Sequence, residues 1–382
     1  MFRFLTAGES HGQCLTAIVE GIPAGLPIDV ESMNLDMARR QKGYGRGGRM
    51  KIETDKVEIL SGVRFGETMG DPITLKVANK DWGNWTERMS VSGEPFGAAV
   101  TAARPGHADL IGTQKYDRKD IRDILERASA RETAARVAVG GLAKQLLKAC
   151  GIEILSHVVN IGSITVDDKN IDPLAKRQAA SELNCADPAA EEKMKETIEK
   201  AKAAGDTLGG VFEVIVTGAP VGLGSHIQWD RRLDARLTSA LMSIQAIKGV
   251  EIGAGFAYAD IPGSKAHDEM FFDEKKQVYR KTNRAGGIEG GMSNGEHIVA
   301  RAVMKPIPTL MTPLHSVDID TKEEVLACKE RSDVCAVSAA SVVGEAMTAF
   351  VLAEALLEKF GGDTLGDLKA AIAHYENRIS GE

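Results

Sequence analysis

GGVFEVIVTGAP, residues 209–220, decides between two ways of layering this chain. Val, Ile and Phe alternate in it with smaller or polar residues, the pattern of a half-buried strand. Three other runs share that character: KVEILSGVRFG (56–66), PITLKVAN (72–79) and EHIVARAVMKPI (296–307). Three helices stand among these groups. The first begins within residues 126–151, ERASARETAARVAVGGLAKQLLKACG, where Ser129 and Glu132 have capping-box spacing and Gly151 closes the far end. The second, DRRLDARLTSALMSIQAIKG (230–249), puts Leu233, Leu237, Leu241 and Ile244 on one face and is expected to stop at Gly249. The third, ASVVGEAMTAFVLAEALLEKFGG (340–362), ends at Gly361–Gly362. A fourth stretch, PAAEEKMKETIEKAKAAGD (188–206), is mostly charge and reads as a solvated excursion. Strands gather in groups with helices between groups, which favours α+β layering over a doubly wound parallel sheet. Strands followed by a long helix occur in residues 1–150 and again at about 209–360, an order that suggests internal duplication without a residue-level repeat. No low-complexity linker divides the chain, so residues 1–382 are read as one domain with insertions.

At 382 residues, 43% apolar and 26% charged, the chain has the composition of a packed globular protein and not of a disordered one. A formal charge of −7 repels polyanions overall, and 5% aromatics is too few for a single-strand stacking platform. Any anion site must be local. The five cysteines (Cys14, Cys150, Cys185, Cys328, Cys335) are scattered without metal-type spacing and are expected to be reduced thiols, with no metal bound. The N-terminal apolar run is too short for a signal peptide, and no stretch is expected to reach the roughly 18 apolar residues of a membrane span. The expectation is a cytoplasmic, soluble protein without membrane contact.

Local cation sites are easy to find. RRQKGYGRGGRMK (39–51) has six basic residues and four glycines. Its GYGRGG matches G-x-G-x-x-G, but a helix precedes it where a dinucleotide fingerprint needs a strand. Two readings remain: an RG-type RNA-binding segment, or a mobile clamp whose guanidiniums fork onto a small anion. GESHG (8–12) presents His11 in a turn, and RPGHAD (104–109) presents His107 beside Arg104 and Asp109. Each histidine is equally readable as a proton donor or as a satisfied structural residue. RASARE (127–132) sets Arg127 and Arg131 around a capping serine at a helix start, where a phosphate can sit. MKPIPTL (304–310) and ERSDVC (330–335) add Lys305, Arg331 and Asp333, the last either a base or a partner of Arg331. Together these describe an enzyme for a small, multiply anionic substrate.

GESHG, RRQKGYGRGGRMKIE, RPGHADL, ERASARET, GVEIGAGF, GGIEGGMSNG, MKPIPTL and ERSD, in this order, resemble the chorismate synthase family over residues 3 to about 360. The resemblance implies a layered β-α-β sandwich with internal pseudo-symmetry, assembled as a homotetramer. It implies a lyase of the shikimate pathway that eliminates phosphate 1,4-anti from 5-enolpyruvylshikimate 3-phosphate. Reduced FMN is required although no net redox change occurs. Carried over by motif, His11, His107 and Asp333 are the expected catalytic groups. Arg40, Arg46 and Arg49 on the loop, with Ser129 and Arg131, are expected to hold substrate. Arg127, Ala128, Ser129, Gln245, Ala246, Gly290, Lys305, Pro306, Ile307, Pro308, Thr309 and Arg331 are expected at the flavin. Ala128 and Gln245 depart from the family, which commonly has serine and asparagine there. Closure of the 43–51 loop is expected to exclude water and oxygen. With no added reductase domain, the chain is expected to depend on a separate flavin reductase, and NADPH enters only if it reduces its own flavin. The alternatives are a flavin-dependent oxidoreductase and, more remotely, an RG-loop RNA-binding protein.

Overall fold

A computed structural model of the chain describes residues 1–46, 54–166, 181–274, 276–327 and 333–381. The alternating runs become two antiparallel sheets. The first consists of β1 (Arg3–Ala7), β2 (Cys14–Glu20), β3 (Val57–Ile59) and β4 (Ile73–Ala78), in the order β1-β2-β4-β3. The second consists of β5 (Glu153–Ile161), β6 (Gly210–Thr217), β7 (Ile247–Ile252) and β8 (Ile298–Met304), in the order β7-β8-β6-β5, with Ile164–Thr165 at its edge. Period-two alternation sends Leu15, Ala17 and Val19, and likewise Phe212, Val214 and Val216, to buried faces. The first sheet packs mainly on α4 (Thr133–Ala149) and the second mainly on α7 (Val337–Phe360), and these two helices pack on each other in the middle. One hydrophobic cluster runs through all three layers. The architecture is the expected α+β, β-α-β sandwich, with the first sheet drawn from residues 3–78 and the second from residues 153–304.

α4 and α7 approach closely because Gly140 faces Ala346. A Cβ built on Gly140 would lie 2.3 Å from the Ala346 Cβ, so only glycine fits. α1 (Val30–Gln41) starts at Asp29, whose carboxylate accepts from the Ser32 amide, and lies across α4 and α7. Between these helices sits a buried ionic cross-link. Glu345 of α7 accepts from Arg39 (2.6 and 2.8 Å), Lys144 of α4 (2.6 Å) and Ser156 of β5 (2.6 Å).

Three expectations need correction. The helix containing Leu233 is α6, Leu233–Met242, and it stops well before Gly249. Ala246 has φ 68°, a left-handed conformation that no α-helix contains, and Gly249 falls inside β7 at a register shift. The charged excursion is helix α5, Pro188–Ala203, capped by Asp187, and it is solvated on one side only. Ala190, Met194 and Ile198, spaced by four, are buried against the main core. Finally, α7 is long and apolar enough to cross a membrane, contrary to the expectation that no segment is. Here both its faces are occupied, 83% of its most apolar window being buried between the sheets.

Candidate active site

His11 lies in the turn between β1 and β2, and α3 (Arg122–Ala128) comes up beneath it. The Ser10 amide donates to the Glu126 carbonyl (3.0 Å), and the His11 amide to Glu126 Oε2 (2.8 Å). His11 Nδ1 is 3.0 Å from both Glu126 oxygens, and Arg122 donates to Oε1 at 2.7 Å. Burial alone would raise the Glu126 pKa, but the hydrogen bonds and charges of His11 and Arg122 outweigh it and hold the carboxyl below its ordinary value. An ionised carboxylate only accepts, so we assign the proton to His11 Nδ1, leaving Nε2 for chemistry. The indole of Trp85 covers the imidazole, ring centroids 4.0 Å apart and tilted by 33°.

His107 is held in the same manner. Its Nδ1 is 2.6 Å from Asp109 Oδ1, at the start of α2 (Asp109–Tyr116). Arg104 Nε and the Arg104 amide both bond Asp109 Oδ2, at 2.8 and 3.0 Å. Burial pushes the Asp109 carboxyl upward, yet hydrogen bonds from His107 and Arg104 hold it well below the usual carboxylate range. The Gly106 carbonyl accepts from Lys305 Nζ, and the Lys305 amide donates to the Ala246 carbonyl (2.9 Å). Three predicted segments thus meet: the His107 turn, the Lys305–Thr309 turn and Gln245–Ala246. Burial, with Lys248 nearby, lowers the Lys305 pKa.

The serine cap at residue 129 takes a different form from the capping box. Ser129 caps a 3-10 turn, Ala130–Glu132, its Oγ accepting from the Arg131 amide (3.2 Å), and α4 starts only at Thr133. Glu132 turns away from the cap because better donors are available. Its carboxylate bonds Thr6 (2.9 Å), Arg136 (2.8 Å) and Gln245 Nε2 (3.1 Å). Arg127 bonds the Thr6 and Gly8 carbonyls, and Ser10 and Ser129 hydroxyls are 3.3 Å apart. Arg131 runs inward instead, to Asp55 (2.7 Å) and Asn79 (2.9 Å). Arg40 is not on a mobile loop: it ends α1, is buried, and reaches the same Asp55 at 2.6 Å. Two buried guanidiniums therefore share one carboxylate. Burial, then the neighbouring charges of Arg131 and Arg46 against the pull of Asp55, leave the Arg40 pKa lowered. Among the described residues Arg40 Nε is buried without a partner.

Arg46 and Asp333 form an ion pair at 3.0 Å, so the arginine loop and the predicted base do meet. Arg49 and Arg331 lie outside the described residues. Gly290 is not brought to the site. It sits in a hairpin whose Gly291 carbonyl accepts from the Leu233 amide, at the opposite end of α6 from Gln245, roughly 15 Å of helix away. A cavity of about 460 Å³ opens between Thr6, Arg127, Glu132, Arg136, Ser243 and Gln245. The partners that reasoning from sequence missed are Glu126, Arg122, Trp85, Asp55, Asn79 and Glu132. Only Arg122–Glu126, an i,i+4 pair just before RASARE, left a readable signal.

Comparisons with known proteins identify the family. The family model described as chorismate synthase matches residues 2–357. A chorismate synthase from Desulforamulus reducens is 59% identical over 384 residues, covering 99% of each chain. Those from Geobacter sulfurreducens and Aquifex aeolicus are 59% and 56% identical over 97% and 99% of this chain. A solved structure titled "Crystal Structure of Chorismate Synthase" superposes with a TM-score of 0.81 at 46% identity, covering 100% of this chain and 99% of that one. With two carboxylate-held histidines over a floor of shared guanidinium charge, and with relatives aligned end to end, the chain belongs to the chorismate synthase family.

Proposed function

We propose that this enzyme converts 5-enolpyruvylshikimate 3-phosphate to chorismate and phosphate by 1,4-anti elimination, as a carbon–oxygen lyase of the shikimate pathway with reduced FMN as its cofactor. The observation that carries this reading is the pair Arg40 and Arg131 on a single Asp55, with His11 and His107 each held through Nδ1 by an ionised carboxylate. The excess cationic charge suits a substrate bearing a phosphate and carboxylates, and preorganised charge stabilises a leaving anion without reorganisation. His11 Nε2 gives a proton to the departing phosphate. His107, fixed by Asp109 and backed by Lys305, serves the flavin side. Asp333, next to Arg46, takes part in removing the substrate hydrogen.

The residues present fit a flavin. In the cavity at Gln245, Arg127 and Arg136 outnumber the one carboxylate of Glu132, and Gln245 Oε1 is buried without a partner among the described residues. A ligand with an N–H donor and an anionic group satisfies both features. Arg127, Arg136, Gln245 and the Lys305 turn would hold it. When bound, reduced FMN supplies transient electron density for breaking the C–O bond. The glutamine keeps the amide the family's asparagine would offer, so this departure is compatible with binding.

We further propose a homotetramer. Leu5 and Ile18, cross-strand partners on the outer face of the first sheet, are 77% and 50% exposed and offer it a surface, which sedimentation can test. The test of function is anaerobic: purified protein with the substrate and chemically reduced FMN, following chorismate and phosphate. Many turnovers per flavin are expected. A parallel sample with oxidised FMN and NADPH reads out self-reduction, for which no activity is expected without an added reductase. Product formed only in step with NADPH consumption would move the oxidoreductase reading forward.

A further inference from the structure

A histidine that only needed solvent contact would not be walled in on two sides. His11 is. Its backbone amide and its ring both bond the same Glu126, so the turn and the imidazole are locked as one unit. Glu126 itself is only 3% exposed, and a carboxylate that deep is costly unless paired. Arg122 pairs it from one turn earlier on α3 while its guanidinium stands 5.0 Å from the Trp85 ring centroid. In doing so Arg122 leaves its own Nε buried without a partner among the described residues. The Trp85 indole is in turn oriented by its Nε1 donating to Asp81 (2.8 Å), which presents its face to His11. Three separate segments of chain converge to hold one ring.

We propose that Glu126, Arg122 and Trp85 are positioning residues for His11. Glu126 keeps the proton on Nδ1, Arg122 keeps Glu126 ionised and aimed, and Trp85 fixes the ring plane and keeps water from one face. The proton on Nδ1 stays in place through the reaction, and one proton is exchanged at Nε2. This rests on His11 acting in the reaction proposed above. The charged groups near the ring are Glu126 and Arg122 from α3, with Glu9 in its own turn; the segment carrying Trp85 brings the indole and, behind it, the Asp81 carboxylate that the indole Nε1 bonds.

The experiment uses the full chain and two readouts, one independent of turnover. Trp85 stacked on an imidazole is quenched when that ring is protonated, so tryptophan emission of the wild type should follow the protonation of His11 as pH is varied. The titration should vanish in Trp85→Phe and in His11→Asn. In Glu126→Gln, which keeps size and an acceptor but no charge, the midpoint should be displaced along the pH axis. In the anaerobic assay, kcat of Glu126→Gln should fall by roughly 10- to 100-fold with KM for 5-enolpyruvylshikimate 3-phosphate nearly unchanged, the scale at which orienting partners act. Folded Glu126→Gln with wild-type kcat and an undisplaced midpoint overturns the proposal. If Glu126→Gln does not fold, Trp85→Phe decides: lowered kcat with a lost titration supports the clamp, and wild-type kcat or a surviving titration overturns it. A wild type that makes no chorismate refutes the proposed reaction, while the emission titration still tests the clamp.

Discussion

Asp109 and Glu126 decide what His107 and His11 can do, because each accepts the hydrogen bond of Nδ1–H and leaves Nε2 as the working nitrogen. His11→Ala and His107→Ala should each lower kcat by about 100-fold or more, while FMN affinity changes by less than about tenfold. Stopped turnover assays and flavin titration check this, and parallel losses in both would remove the catalytic roles. Asp109, held below the ordinary carboxylate value, gives its stabilisation in full above that value and loses it only as pH falls through its lower folded pKa. Asp109→Asn should therefore reduce kcat by loosening His107 and not by removing a titrating group, so the variant's pH–rate profile should keep the wild-type shape at lower height. The histidines were legible because each sits in a glycine-flanked turn. Their partners were not, and distance explains it: Glu126 lies 115 positions from His11, and nothing local marks a carboxylate for a residue so far away. Asp55 is the same case, an unremarked acid until two helices bring arginines to it.

At the scale of elements, α5 is the surprise. Its charge hid a buried stripe whose last member, Ile198, meets the start of the arginine loop. Gly45 has φ 81°, and a Cβ there would stand 2.8 Å from Ile198 Cγ2, while its carbonyl accepts from the Val334 amide (2.8 Å). Tyr44 reaches Glu199 of α5 with its hydroxyl, and Lys195 lies over its ring. So α5 is the bench on which Arg46 is set against Asp333. Gly45→Ala should lower kcat/KM by roughly tenfold or more, since a positive-φ alanine and the clash both push the loop off α5. Melting should fall modestly, because the new methyl meets Ile198 at the edge of the core; a normal kcat/KM in that variant would show that the bench is not needed. The four main strand runs and the glycine-closed ends of α4 and α7 were visible in the pattern of apolar residues. The early end of α6 was not, since it is set by Ala246 adopting a left-handed conformation that its side chain does not advertise.

For the molecule as a whole, the middle layer sets stability. Gly140→Ala should destabilise by about 3 kcal/mol or more, since the new methyl would land against Ala346 where two helices cannot separate without disturbing both sheets. Urea unfolding measures it. The Glu345 cluster ties α1, α4, α7 and β5 together. Burial opposes its ionisation, but Lys144 and Arg39 bring the carboxyl down from 4.5 to about 2. Its contribution, about 3 kcal/mol, is full above pH 4.5 and is lost as pH falls toward 2. Glu345→Gln should therefore unfold more easily at pH 7 and show a flatter loss of stability on acidification, in denaturant midpoints taken across that range. The sandwich was foreseeable from grouped strands. The strand order was not, because pairing depends on which apolar faces meet across the helices.

The helix that fills the centre of this sandwich, α7, follows every strand of both sheets in the sequence. During synthesis both sheets precede it; α4 is there to cover the first, and the second waits for residues 337–360 to cover its apolar face. A chain truncated at residue 336 would leave the apolar face of the second sheet bare and gather with others of its kind. The core of the sandwich is therefore complete only once residues 337–360 are in place.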